Sequence, residues 1–368
     1  MWVSRLALRD FRSYESFDLE LDRGVTTFVA PNGWGKTNLV EAIGYLSRLR
    51  SHRVPQDLPL VRAGREQAIV SARVHRGERH VTAEVTIRAK GANRARINRS
   101  GVRVREILGL VKGDPGERRD WLDSLLVARN PRFAGVLADT DRALRQRNAL
   151  LKNLRTHPDS GLEATLDIWD RAFAEAAAAL VVGRRRLLAD LAPHIDEHFS
   201  GLAADARESR RVAEARYSSR IDHSAVDPAS DDAVARTVDV IVDAVLTRRH
   251  KEIDRGLTLV GPQRDDVELL IGETPAKGYA SHGESWSLAL ALQLAGWNLL
   301  REDSGHPDDQ PILVLDDVFA ELDSGRRTRL AHIVAQAEQV LITAAVGSEI
   351  PAELVGRTID LTEVSPAA

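Results

Sequence analysis

Cysteine is absent from the 368 residues. That excludes disulfides, thiolate zinc sites and a cysteine nucleophile, and it fits a reducing compartment, so a cytoplasmic location is expected. No run of about 18 apolar residues occurs, so no membrane span and no membrane partner is expected. The first residues carry charges where a secretory leader needs an apolar stretch. Aromatics make up only 5% of the chain, too few for a platform that stacks single-stranded bases. A strong charge of one sign is also missing, since the formal net charge is -3. A protein basic throughout is thereby excluded, but a local basic stripe is not. What is present is a globular composition, 43% hydrophobic and 29% charged, long enough for one or two domains with proper cores.

Residues 3–8 and 17–21 largely alternate apolar and polar side chains, as half-buried strands do. Residues 25–29 are short and mostly β-branched, the pattern of a strand buried on both faces. A Gly-rich turn follows, and then helical spacing of Leu39, Val40, Ile43 and Leu46 over 38–49. Strands are expected at 68–74, 81–88 and 94–98. Asp114 and Pro115 predict a helix start, with Asp114 as the capping carboxylate. Apolar residues then recur at three- or four-residue steps from Leu162 to Ile195, with one double step across Arg184 and a bend expected at Pro193. A loop is expected over 216–232 and a helix over 232–251. Strands are expected at 256–260, 267–271, 312–315 and 340–343, with a helix at 285–300. The pattern predicts an α/β class: one ATPase-like domain, 1–113 and 255–368, split by an all-helical insertion, 114–254.

Ala30, Pro31, Asn32, Gly33, Trp34, Gly35, Lys36 and Thr37 match G-x-x-x-x-G-K-[ST] except at the first position. Backbone N–H groups of such a loop point at phosphate oxygens, and the following helix adds its positive end. Lys36 would set a compact charge on the outer phosphates, and Thr37 would offer its hydroxyl to Mg²⁺. If Ala30 needs a positive φ, it costs about 1 kcal/mol relative to glycine. The apolar run 312–315 ends in Asp316 and Asp317, where a Mg²⁺ ligand and a water-activating base belong. Ser281, His282, Gly283 and Glu284 precede a helix and could form a second anion site, although a plain N-cap is the simpler reading of that stretch alone.

The order of these motifs resembles the RecF family of bacterial recombination-repair ATPases, which is related to SMC heads. The stretches that carry the resemblance are 8–14 (LRDFRSY), 31–43 (PNGWGKTNLVEAI), 51–53 (SHR), 112–119 (KGDPGERR), 261–266 (GPQRDD), 281–284 (SHGE) and 315–323 (LDDVFAELD). The resemblance implies an ABC-type P-loop ATPase head with a mixed sheet and an inserted helical arm. It also implies ATP and Mg²⁺, an ATP-dependent homodimer, DNA binding at gaps or junctions with slow hydrolysis, and RecR and RecO as partners. Lys36, Thr37 and Asn38 then belong to the nucleotide site, joined by Arg12 and Ser13 from the N-terminal hairpin. Asp316 becomes the Mg²⁺ ligand, Asp317 the base, and Ser281 the contact to the other subunit's nucleotide. Glu321, Leu322 and Asp323 form the D-loop. The family's usual segment between Leu110 and Val111 is absent, and the strand ending at Thr343 has no switch histidine of the transporter type.

Arginines on the insertion are candidates for a backbone-directed DNA path: Arg118, Arg119, Arg142, Arg145, Arg147, Arg184, Arg185, Arg186, Arg248 and Arg249. Each one alone reads more simply as a solvated helix face, as Asp141 with Arg145 at i,i+4 illustrates. On the head the candidates are Arg48, Arg50, Arg53, Arg94, Arg96 and Arg99. Two rival readings are the nucleotide subunit of a transporter and an ATP-gated scaffold without catalysis.

Overall fold

The computed structural model describes residues 1–48, 51, 53–54, 56–77, 79–96, 102–103, 107–157, 161, 163–306, 309–354 and 356–364. Leu162, Arg50, His52 and Arg99 lie outside the described residues, as do the side chains of Arg48 and Arg96. The chain forms two compact units. The first comprises 1–107, 201–204 and 290–368, and the second comprises 108–200 and 205–289. The divisions differ from the expected 113/114 and 254/255 because the stretch 205–289 carries its own sheet.

In the first unit, β1 (Trp2–Phe11), β2 (Tyr14–Glu20), β4 (Gln67–Arg76), β5 (Arg79–Arg88) and β6 (Arg94–Arg96) form an antiparallel sheet in the order β2-β1-β4-β5-β6. A second sheet is parallel throughout, in the order β13-β3-β12-β11-β7. Its strands are β3 (Gly24–Val29), β7 (Val102–Arg103), β11 (Leu313–Asp316), β12 (Gln339–Ala344) and β13 (Gly356–Asp360). Every residue of β12 and β11 is buried, which is why Leu313–Leu315 and Val340–Ile342 read as short apolar runs between the polar Gln339, Thr343 and Asp316. Helix α1 (Lys36–Arg48) places Leu39, Val40, Ala42, Ile43 and Leu46 in the core shared by the two sheets.

The second unit contains most of α2 (Ile107–Lys112), with α3 (Pro115–Arg129), α4 (Phe133–Thr156), nearly all of α5 (Glu163–Leu202) and α6 (Ala233–Arg255). Leu110 and Val111 are consecutive buried residues of α2, so the ends of the expected gap are joined by helix. Asp114 precedes α3 in extended backbone, but its side chain makes no capping bond, contrary to expectation. Helix α5 runs through Pro193 without ending.

The insertion is not all helical. Strand β8 (Ala213–Ser218) pairs with β9 (Asp266–Ile271), which pairs with β10 (Thr274–Pro275). Only Ala213 of β8 is buried, so its pattern carried almost no strand signal. The strand expected at 256–260 does not form. Gly256 ends α6 in the left-handed region (φ 63°), and the Thr258 and Leu259 amides donate to the Asn148 and Glu252 side chains instead of a ladder. Beyond it lie a single turn α7 (Ala276–Tyr279) and α8 (His282–Glu302), whose residues from Leu290 onward belong to the first unit. Helices α9 (Ser324–Val334) and α10 (Leu361–Val364) complete the first unit.

Candidate nucleotide site

The parallel sheet decides what meets at its C-terminal edge. Val29 pairs with Ala344, and Asp316 pairs with Thr343. The phosphate loop after β3 and the acids after β11 therefore flank β12, two strand spacings or about 10 Å apart. Edges of this kind are where open parallel sheets bind ligands.

Gly33 (φ 89°) and Gly35 (φ 87°) turn the loop in the left-handed region, where a side chain is strained. Gly35 is constrained a second time: a Cβ there would lie 2.8 Å from Ser13 Oγ and 3.1 Å from the Tyr14 hydroxyl. Ala30 is not among the residues with positive φ, so the departure from the motif's first glycine carries no backbone strain. Ala30→Gly is accordingly expected to change ATP affinity by less than about 2-fold. Gly35→Ala should weaken it by at least about 10-fold, from the left-handed penalty alone. Titration with a fluorescent ATP analogue checks both.

Lys36 is almost fully buried, and its Nζ donates to Ala30 O at 2.7 Å, Asn32 Oδ1 at 3.3 Å and Pro31 O at 3.4 Å. The ammonium is thus held over the loop by the loop's own acceptors. Thr37 and Asn38 follow in the first turn of α1, where the Asn38 amide donates to Gly35 O. Trp34 is half-buried and packs on the core.

Arg12 and Ser13 come from the β1–β2 hairpin, as expected. Arg12, in the turn, has φ 53° and Asp10, near the end of β1, has φ 51°, strained positions held by Arg12 N–H to Leu60 O at 2.9 Å and Arg62 N–H to Asp10 O at 2.8 Å. Ser13 Oγ accepts from Asn38 Nδ2 at 2.9 Å, and the Tyr14 hydroxyl donates to Gly35 O. Burial pushes the Tyr14 phenol up, so it stays a donor.

Glu41 is the residue that sequence reasoning missed here. It is fully buried and takes Arg12 in a two-pronged bond at 2.8 and 2.9 Å, with Ser51 Oγ and Arg53 also donating to it. Burial works against its charge, but Arg12, Ser51 and Arg53 outweigh that and hold the carboxyl below its usual range. Arg53, expected on DNA, instead bridges Glu41 and Asn38 beside the phosphate loop.

Asp316 is buried at the end of β11 and accepts from Thr343 Oγ1 at 2.6 Å. The same hydroxyl accepts from the Asp317 amide at 2.9 Å. Asp317 has φ 52°, the remaining non-glycine residue with positive φ among the described residues. Thr343 therefore orients both acids, a role the sequence did not reveal. Glu321 is exposed, Leu322 is buried, and Asp323 caps α9 by accepting from the Arg326 amide at 2.9 Å.

In the second unit, Ser281 and Glu284 close a reciprocal capping box at the start of α8. The Ser281 amide donates to Glu284 Oε2 at 2.8 Å, and the Glu284 amide donates to Ser281 Oγ at 3.2 Å. Partial burial opposes the Glu284 charge, but Ser281 and Arg210 outweigh it and hold the carboxyl below its usual range. Ser281 and His282 are exposed, and His282 Nε2 accepts from Trp286 Nε1. Gly283 is half-buried.

The expected DNA arginines divide sharply. Arg118 is buried in a two-pronged bond to Asp266, and Arg184 is buried in a two-pronged bond to Asp123. Arg147 has no exposure and joins Asp170 and Glu252. These three cannot reach a phosphate backbone, which corrects their assignment. Arg119 donates to Asp265 O. Arg145 is exposed and paired with Asp141, and Arg185 is half-buried.

A profile of the RecF/RecN/SMC N terminal domain family matches residues 2–350. A Renibacterium salmoninarum protein named DNA replication and repair protein RecF is 48% identical over 399 residues, covering 99% of this chain and 99% of its own. A Streptomyces avermitilis protein of the same name is 48% identical over 385 residues, covering 99% and 98%. A solved structure of the recombination mediator protein RecF-ATP in the RecFOR pathway has TM-score 0.83 at 24% identity, covering 95% of this chain and 93% of that one. The Smc head domain of Pyrococcus furiosus has TM-score 0.52 at 17% identity, covering 96% and 92%.

Proposed function

The chain belongs to the RecF family, and from that premise we propose that it is an ATP-gated DNA-binding protein of replication and recombinational repair. It binds ATP, closes into a homodimer over two nucleotides, grips DNA at gaps or junctions, and hydrolyses ATP slowly to let go. The transporter reading is set aside, since the relatives that match over the full chain are named DNA replication and repair proteins.

The observation that carries the reading is the shared C-terminal edge of β3, β12 and β11, which lines up phosphate loop, Thr343 and the two acids. Amides of the loop and Lys36 Nζ receive the outer phosphates, and the long Lys36 bonds to Asn32 and Pro31 are the ones a phosphate oxygen replaces most easily. Thr37 and Asp316 are hard oxygen donors, and one hydroxyl with one carboxylate suits a Mg²⁺ ion that completes its shell with phosphate and water. When bound, the ion neutralises charge on the phosphates. Asp317 takes the proton of the attacking water, and Thr343 holds its backbone in place.

Closure requires that ATP favour the dimer by about 5 kcal/mol to convert a mostly open population to a mostly closed one. Two nucleotides, each bridged by the partner's Ser281, supply the differential contact. DNA contacts then fall to cations that no acid neutralises. Arg220 and Arg264 fit this better than the acid-paired arginines. Both are exposed without a carboxylate partner among the described residues, and they adjoin Ser219 and Asp265, which are hydrogen-bonded to each other. RecR and RecO are partners by family resemblance, and the site of action is the cytoplasm.

Duplex and gapped DNA binding, with and without ATP across a salt series, tests the reading. With ATP, about four phosphate contacts should cost roughly 100-fold in affinity between 50 and 200 mM salt. A flat salt response, or binding indifferent to ATP, would contradict it.

A further inference from the structure

We propose that Arg210 is a positioning residue for Ser281: it neutralises Glu284 and holds that carboxylate on the Ser281 amide, so that the start of α8 can receive the phosphates of a nucleotide carried by a second copy of this chain. This rests on the ATP-bridged dimer proposed above.

The physical problem lies in Glu284. A carboxylate in the first turn of a helix suits the positive end of the helix and here completes the capping box. The same negative charge, three residues from the serine that must approach a polyphosphate, repels the ligand. Arg210 resolves the conflict. Its guanidinium pairs with Glu284 Oε1 at 2.8 Å, while Glu284 Oε2 stays on the Ser281 amide at 2.8 Å. The pair is only 27% and 21% exposed, so water screens it less than a surface pair. The anion thus keeps its capping role while its field at the helix start is cancelled.

The position of Arg210 is built into the fold. It ends a single 3-10 turn (Glu208–Arg210), and its Nη1 also donates to Ile271 O at 3.3 Å. That turn lies against Gly272 in the β9–β10 hairpin. Gly272 has φ 59°, its amide donates to Val212 O at 2.8 Å, and a Cβ on it would come within 2.4 Å of Ser209 O. Only a residue without a side chain permits that approach. The sheet therefore delivers the guanidinium to Glu284, and the link between residues 74 positions apart has no trace in local sequence.

Ser281 stands at the exposed face of this turn. Its Oγ accepts from the Glu284 amide, and its hydroxyl faces the Glu284 carboxylate, whose charge it helps to hold. With Glu284 neutralised by Arg210, a phosphate oxygen arriving there competes with that carboxylate for the hydroxyl proton.

A charge-removal cycle tests the role. Dimer formation with ATP is measured by light scattering for the wild type, Arg210→Gln, Arg210→Lys, and the double variant Arg210→Gln with Glu284→Gln. Arg210→Gln leaves an unbalanced carboxylate and should weaken the dimer about 10-fold at each site, about 100-fold over two sites. Arg210→Lys keeps the charge and should recover part of the loss. The double variant removes the anion together with its partner and should dimerise at least about 10-fold better than Arg210→Gln alone. ATP affinity of the monomer, set at the phosphate loop, is the reference. A double variant no better than Arg210→Gln, or an Arg210→Gln dimer as tight as wild type, overturns the proposal. A wild type that stays monomeric with ATP removes the dimer itself and the proposal with it, a result distinct from either of those.

Discussion

Asp317→Asn is expected to lower the rate of ATP hydrolysis by about 10²–10⁴-fold, the usual contribution of a positioned general base. The substitution isolates the chemistry. Asparagine has the same shape, tolerates the left-handed φ of 52°, and keeps the amide bond to Thr343 Oγ1, because that bond comes from the backbone. Asp316, the buried oxygen donor next to it, is untouched and still accepts from Thr343. ATP binding should therefore survive while release of phosphate stalls. Single-turnover phosphate release measures this directly. A rate within about 3-fold of wild type would show that Asp317 is not the base.

The largest stability effect is expected at Arg147. Its side chain has no exposure, and it donates to Asp170 Oδ1 and Glu252 Oε2 at 2.6 Å and to Thr258 Oγ1 at 2.8 Å. The three contacts tie α4 to α5, to α6 and to the irregular segment after α6. Removing the guanidinium leaves two carboxylates, 3% and 0% exposed, with less charge compensation. Breaking one partner out of such a buried cluster costs about 3–5 kcal/mol, a large share of the 5–15 kcal/mol typical of a whole domain. Arg147→Ala should therefore unfold the second unit at much lower urea. Arg145→Ala is the control, two residues away on the same helix. Arg145 is 66% exposed and paired with exposed Asp141, so its loss should stay within about 0.5 kcal/mol. Similar urea midpoints for the two variants would contradict the buried cluster.

The contrast between Arg145 and Arg147 also shows what was legible in the sequence. The strand–loop–helix around the phosphate loop could be read because β-branched residues, glycines and helical spacing all pointed the same way at 24–48. The acidic strand end at Asp316 and Asp317 was legible for the same reason. The fates of the arginines were not, because their partners lie far along the chain: Asp266 for Arg118, Asp123 for Arg184, Glu252 for Arg147 and Glu284 for Arg210. Even so, a signal existed. Arg147 falls in step with buried Thr140, Ala143, Leu151 and Leu154 on α4, and Arg184 occupies the double step in the apolar face of α5. An arginine in register with an apolar stripe is a candidate for a buried pair, not for a DNA contact. Thr343 and Glu41 were invisible for a different reason. Each acts by orienting a neighbour, and only strand register or helix packing reveals which neighbour that is.

The central claim is that ATP closes this chain into a dimer through the phosphate loop of one copy and Ser281 of the other. Light scattering of the Asp317→Asn protein with ATP, with ADP and without nucleotide tests it most directly, because stalled hydrolysis lets the closed form accumulate. A doubled mass with ATP alone, abolished by adding Ser281→Arg, is the predicted result. A monomer mass with saturating ATP, even at high protein concentration, would contradict the account.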